Sequence, residues 1–211
     1  KDMAVHQISP ELLTLERVDE ILKKGLKLEL SAESKSRILK CREYLDNKMQ
    51  TQKEPIYGVT TGFGSLCNIS ISKEQLSQLQ KNLVMSHACG VGEEVPQEIV
   101  KIMLLNKIQS LSYGNSGVQL QTVERLIAFF NNDIFPVVYQ QGSLGASGDL
   151  APLAHMCLPL LGLGVVDYKG ERISGEELNK RFSWQPIELQ SKEGLALLNG
   201  TQFMSSFAVW C

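Results

Sequence analysis

Apolar residues recur at helical spacing through most of this chain, and glycine-rich stretches interrupt the pattern. Ser9-Pro10-Glu11-Leu12 reads as a helix start, with Ser9 as N-cap, leading to about Lys24. Ile38, Leu39, Cys41 and Leu45 predict a second helix from Ser31 to about Lys48. A longer one runs from about Ser72 through Leu76, Leu79, Leu83 and Val84 to Ala88, with a stop at Gly90 or Gly92. Pro96 to Ser112 and Val118 to Asn131 follow as apolar-faced helices, joined by the turn-like Tyr113-Gly114-Asn115-Ser116-Gly117. Asp133 to Gln141 is extended. Asp149-Leu150-Ala151-Pro152 starts a helix whose body, Leu153 to Leu163, is apolar nearly all round and therefore central.

Val165 to Ile173 reads as a small hairpin, and Ser174-Gly175-Glu176-Glu177-Leu178 as a capped short helix. Glu193 to Leu198 is an apolar run that places Asn199 at its end, where Asn-Gly is first of all a helix stop. The fold class is mainly α, with short strands and a small hairpin.

Composition narrows the function more than the fold. The 21 basic and 23 acidic residues give a net charge of −2 and are dispersed, so no footprint for nucleic acid or an anionic membrane is present. No apolar run reaches the length of a membrane span, and the first residues lack a signal region, which makes a cytoplasmic location the expectation. The five cysteines, Cys41, Cys67, Cys89, Cys157 and Cys211, are widely separated and odd in number; they read as reduced thiols, mostly buried. His6, His87 and His155 lack metal-ligand spacing. Lys1 is not an initiator methionine, and the chain stops inside the apolar run Phe203 to Cys211, so a piece of a longer protein is expected.

Chemistry concentrates in GSLGASGDLAPLAH, Gly142 to His155. The stretch misses the nucleophile elbow, because Asp149 stands where the second glycine belongs, and no Gly-Lys-Ser/Thr follows that would make it a phosphate loop. A different reaction suits these residues. If the Gly148 amide nitrogen attacks the Ala146 carbonyl, a five-membered ring closes, and loss of the Ser147 hydroxyl as water leaves an exocyclic methylene. Glycine supplies an unhindered nitrogen and a tolerant backbone, alanine an open carbonyl, and serine a side chain able to dehydrate. Asp149 follows directly as a possible proton acceptor. Spacing alone leaves the plainer reading, a glycine-rich lead into a helix, ahead.

Two other stretches carry polar groups of interest. IYGVTTGFGSLCNISI, from Ile56 to Ile71, is rich in glycine and threonine, and Tyr57 is its one residue with a useful proton. Ser86-His87 lies in the last turn of a helix, where a histidine is commonly a dipole partner and alternatively a polar contact in a pocket.

GSLGASGDLAPLAH resembles the signature of the histidine and phenylalanine ammonia-lyase family, whose Ala-Ser-Gly cyclises to 4-methylideneimidazole-5-one (MIO). Three further stretches agree in order: YGVTTGFG at 57–64, NLVMSHACGVG at 82–92 and LLNGTQ at 197–202. The resemblance implies that Ala146, Ser147 and Gly148 form the prosthetic group, with Asp149 beside it. It implies that Tyr57 is an acid/base, that Asn199 helps hold substrate and the MIO oxygen, and that Ser86 and His87 select the substrate side chain. Phenylalanine lyases carry Phe-Leu at that pair and many tyrosine lyases His-Leu. Ser86-His87 is the histidine-lyase pattern, which some tyrosine aminomutases share.

The implied fold is the N-terminal MIO-bearing part of the all-α, fumarase/aspartase-like lyases. Residues 1–211 would make up the MIO-bearing domain and the start of the central helical region. The implied reaction is L-histidine to urocanate and ammonia, with no metal or nucleotide, in a homotetramer. The start of the helix near Asp149 would raise the electrophilicity of the group through its dipole. Family members are much longer, and their second catalytic tyrosine, carboxylate-binding arginine and active-site glutamate lie in the missing half, so this chain alone is expected to be inactive. A tyrosine or phenylalanine lyase or aminomutase, or a non-catalytic helical scaffold, stays open as an alternative.

Overall fold

The structure, a computed structural model, describes residues 4–51, 54, 56, 57, 59–61, 75–145 and 147–211. Gly58, Gly62, Gly64 and Cys67 of the glycine-rich stretch, and the expected helix start at Ser72, lie outside the described residues.

The chain opens on a strand, β1 (Val5–Ile8), and the first helix, α1 (Leu15–Lys24), begins later than Ser9 suggests. Ser9 forms only a local turn, its Oγ accepting from the Glu11 amide at 3.4 Å. The true N-cap is Thr14, extended at φ −80° and ψ 160°, with Oγ1 accepting from the Arg17 amide at 3.3 Å. Gly25, at φ +61°, ends the helix as Gly25 N–H returns to the Leu22 carbonyl and Leu26 N–H to that of Ile21. The chain then runs into β2 (Lys27–Leu30), parallel to β1. This strand pair is a departure from an all-α expectation.

α2 (Ala32–Thr51) starts as the sequence predicts, Ser31 Oγ accepting from the Ser34 amide at 3.1 Å. α3 (Leu76–His87), α4 (Gln97–Ser112) and α5 (Leu120–Asn131) follow the apolar periodicity. Between α3 and α4 lies β3 (Val91–Glu94); beyond α5 lie β4 (Ile134–Pro136) and β5 (Tyr139–Gln141), the two halves of the expected extended stretch. β5 pairs antiparallel with β3, Val91 opposite Gln141 and Glu94 opposite Tyr139, with a bulge between. That pairing brings the segment after His87 alongside the segment that leads into Gly142.

α6 (Ala151–Cys157) is shorter than expected and passes into a 3-10 turn, Leu158–Leu161. Pro159 is the reason: it has no N–H to give His155, so the α-helical ladder cannot continue. β6 (Val165–Tyr168) and β7 (Glu171–Ser174) form the expected hairpin through Lys169-Gly170, both at positive φ, and β4 adds a third strand on β6. α7 (Gly175–Phe182) is capped by Ser174, whose Oγ accepts from the Glu177 amide at 3.1 Å. α8 (Glu193–Leu198) and α9 (Gln202–Trp210) complete the chain.

The architecture is mainly helical around a large core, and the strands among the described residues form three small sheets, so all-α is too narrow a description. α4 runs through the centre: Ile102, Met103, Leu104, Leu105 and Ile108 are essentially without solvent contact, and Phe129 and Phe130 of α5 pack in the same cluster. Each such side chain contributes roughly 1.5–3 kcal/mol by leaving water. α3, α6 and α8 pack on one another at one side of this core. A second, small cluster joins Leu45, Met49, Val59 and Leu76, with Ile56 and Leu79 against it.

The thiols do not follow expectation. Of the four described cysteines Cys157 is buried, Cys41 is half-buried, and Cys89 and Cys211 are exposed. No described helix is long and apolar enough to cross a membrane.

Candidate active site

α3, α6 and α8 each contribute a segment to the candidate site: α3 ends on Ser86-His87, α6 is preceded by Ser147-Gly148-Asp149, and α8 ends at Asn199.

Ala146 lies outside the described residues. On either side of it the chain makes a tight turn in which the Gly148 amide donates to the Gly145 carbonyl at 3.0 Å, and the two glycines form an isolated bridge. Gly148 is at φ +80°, a conformation suited to glycine, and the space a Cβ would occupy is open. Ser147 and Gly148 are exposed. A bent backbone, an unhindered Gly148 and an accessible Ser147 hydroxyl fit a group made from this tripeptide.

Asp149 has a definite structural task. Its Oδ1 accepts from the Ser143 amide at 2.8 Å, the Ser143 hydroxyl at 3.3 Å and the Ala151 amide at 3.0 Å. It thereby joins the incoming arm of the loop to the first turn of α6. Gly142 must be glycine for the same reason, since a Cβ there would meet both carboxylate oxygens at 2.2 Å.

Ser86 is exposed, its Oγ near the Leu83 carbonyl at 3.3 Å, and His87 is half-buried. The His87 Nδ1 lies 2.7 Å from the carbonyl of Leu83, one turn back. A carbonyl only accepts, so Nδ1 carries the proton, and in the singly protonated ring Nε2 is the acceptor. The imidazole thus serves the end of its helix as the dipole argument expects, and the same bond fixes its tautomer.

Asn199 is the C-cap of α8, its amide donating to the Leu195 carbonyl at 3.1 Å, and Gly200 follows at φ +152°. The helix-stop reading therefore holds, while the side chain stays exposed. Behind it the Lys107 ammonium, on a residue 1% exposed, donates to the Asn199 carbonyl at 3.2 Å. Burial pulls the Lys107 pKa down to about 8, against a smaller upward effect from Cys157. Burial pushes the Cys157 thiol up to about 12, partly offset by Lys107. Tyr57 is 56% exposed, in a turn anchored by the Ile56 amide donating to Thr60 Oγ1 at 2.8 Å.

Two polar residues that the sequence did not single out enter the site's surroundings. Lys107 is one; His155 is the other, its Nε2 accepting from the Gly90 amide at 2.9 Å. His155 is the one polar residue of α6, which is the signal that could have marked it; Lys107 lies among other polar residues of α4, so its sequence surroundings carry no such signal. Among the candidate residues, Tyr57, Ser86, Ser147, Gly148 and Asn199 are exposed. A groove of about 680 Å³ lies elsewhere, between α1, α4 and the end of α9, lined by residues including Leu15, Val18, Ile102 and Trp210.

The proteins that this chain resembles include ammonia-lyases and aminomutases, which defines its class. It belongs to the aromatic amino acid lyase family, whose pattern matches residues 13–211. It is 49% identical over 194 residues to a histidine ammonia-lyase of Symbiobacterium thermophilum, covering 92% of this chain and 38% of that protein. Among solved structures, tyrosine aminomutase from Streptomyces globisporus superposes with a TM-score of 0.88 at 34% identity, over 98% of this chain and 38% of that one. Histidine ammonia-lyase from Trypanosoma cruzi superposes with a TM-score of 0.86 at 33% identity, over 99% and 40%. The chain thus spans about 38% of the length of the Symbiobacterium relative.

Proposed function

We propose that this chain is the MIO-bearing part of a histidine ammonia-lyase, a homotetrameric cytoplasmic enzyme that converts L-histidine to urocanate and ammonia. The observation that carries the reading is the Gly145–Gly148 turn, folded back on itself, open at Gly148, and fixed by Asp149 at the head of a buried helix. Ala146, Ser147 and Gly148 would form the MIO, which supplies an electrophile for the departure of a poor leaving group.

The remaining roles belong to ordinary side chains. Asp149 holds the loop in its bend and stands beside the tripeptide. Tyr57 offers a phenol for moving the weakly acidic β-proton of the substrate. Asn199, backed by Lys107, presents an amide toward the substrate. Ser86 and His87 read the substrate side chain: with Nδ1 committed to Leu83, His87 offers Nε2 as acceptor to an imidazole N–H, worth roughly 0.5–1.5 kcal/mol for a neutral pair. A phenol O–H can donate to the same nitrogen, so this bond recognises a ring that carries a donor and separates histidine from phenylalanine more than from tyrosine.

The test is turnover by the full-length enzyme on L-histidine, L-tyrosine and L-phenylalanine. Histidine as the preferred substrate is expected, and tyrosine-only turnover overturns the assignment. The second reading, a tyrosine lyase or aminomutase, draws on the tyrosine aminomutase superposition and on the Ser-His pair that the resemblance shares with such enzymes. A 3-amino product from L-tyrosine would establish it.

A further inference from the structure

His155 stands where three segments of the site meet. Ala88, at φ −79° and ψ 62°, is the centre of an inverse γ-turn in which the Cys89 amide returns to the His87 carbonyl at 2.9 Å. The next amide, that of Gly90, donates to His155 Nε2 at 2.9 Å. His87 is therefore linked to α6 through hydrogen bonds from two consecutive backbone amides, Cys89 to the His87 carbonyl and Gly90 to the His155 side chain.

The ring is held in turn by Tyr139 of β5, edge to face at 5.1 Å and 75°. Tyr139 lies three residues before Gly142, and its Cβ would be 3.2 Å from a Cβ at Gly90. A Cβ at Gly90 would also approach the His155 ring to 3.1 Å, so the backbone lies on the imidazole closely enough to favour glycine. An apolar residue at 155 would suit the buried face of α6, but it would leave the Gly90 N–H without its acceptor. Burial holds the His155 pKa below its ordinary value, which keeps Nε2 available as an acceptor at neutral pH.

We propose that His155 is a positioning residue: by accepting the Gly90 amide it fixes the turn carrying Ser86-His87 against the helix that follows Ala146-Ser147-Gly148, and so sets recognition of the substrate side chain. The proposal rests on the reading that His87 contacts the substrate. It assigns His155 no contact with the substrate.

The experiment uses the full-length enzyme, with L-histidine kinetics and backbone hydrogen exchange at the peptide containing Gly90. His155→Phe should raise KM about fivefold, the loss of one neutral hydrogen bond, with kcat within about twofold, and should speed Gly90 exchange. His155→Gln, whose Oε1 can accept the same N–H, should restore both. Gly90→Ala, which keeps the imidazole but pushes it off the backbone, should reproduce the KM effect and serves if His155→Phe fails to fold. In a His87→Ala background, already weakened in KM, His155→Phe should add almost nothing. Unchanged Gly90 exchange in His155→Phe, or no rescue by His155→Gln, overturns the positioning role. A His87→Ala enzyme with unaltered KM overturns the substrate reading, and with it the link from His155 to recognition.

Discussion

The ammonium of Lys107 donates to the carbonyl of Asn199 from within the core, so the residue proposed to present an amide to the substrate is held from behind by a buried cation. The carbonyl it reaches closes α8, where the helix dipole is negative, which offsets part of the cost of burying the charge.

That arrangement has a pH signature. Lys107 titrates near 8 when folded against an ordinary 10.5, so between these values the unfolded chain binds more protons and stability rises with pH. Cys157 acts oppositely: its thiol is held at about 12 against 9.0, so stability falls between those values. The sum is a rise on the order of 1 kcal/mol from pH 8 to 9, a near-level stretch, and a fall beyond about 10.5. Urea midpoints across this range check it. Lys107→Met should abolish the rise, and Cys157→Ala should prolong it past pH 9.

Gly142 and Asp149 form one unit, because the space a side chain would need at 142 is filled by the Asp149 carboxylate. Asp149→Ala should cost roughly 1–2 kcal/mol through loss of its bonds to Ser143 and Ala151. Gly142→Ala should cost a similar amount by displacing the same carboxylate. Thermal melts of both variants and the double variant should show strong non-additivity, whereas simple addition would mean that the two act separately.

Glu193 is fully buried, and its carboxylate accepts from the amides of Gln119 and Gln190, from Gln119 Nε2 and from Thr122 Oγ1, at 2.6–2.9 Å. It ties the start of α8 to the start of α5. Glu193→Gln turns an amide donor toward a set of donors and should cost about 3 kcal/mol. Thr122→Val, which removes one donor of the set, should cost about 1 kcal/mol. Chemical denaturation distinguishes the two.

Ser147, Gly148 and Asn199 are exposed and Tyr57 is half or more open to water, although catalysis of this kind needs a dry, preorganised surround. The 211-residue chain by itself should show little or no release of urocanate from L-histidine, followed at its ultraviolet absorbance. Robust turnover would show that these residues suffice.

Much of the fold was legible because helical periodicity is a strong local signal. Residues of α4 and α5 declare themselves by their apolar faces, and Ser174 and Lys169-Gly170 by turn and cap chemistry. Ser9 misled because a Ser-Pro pair favours a turn as readily as a helix start, and Thr14 four residues before Val18 made the stronger cap. The β1–β2 pair was missed because parallel pairing across α1 is a long-range fact with no signature in four-residue strands. As candidate site residues, the tripeptide, Tyr57, His87 and Asn199 were readable only as parts of a resemblance. His155 was weighed only as a metal ligand and Lys107 was not read at all, since their partners are backbone atoms 65 and 92 residues away in sequence.

The most direct test of the account is the mass of the tripeptide in the purified full-length protein. Cyclisation and dehydration of Ala146-Ser147-Gly148 predict a deficit of two waters, mapped to those residues by proteolysis and absent in Ser147→Ala. An unmodified Ala-Ser-Gly peptide in that protein would contradict the claim that this turn becomes the electrophile.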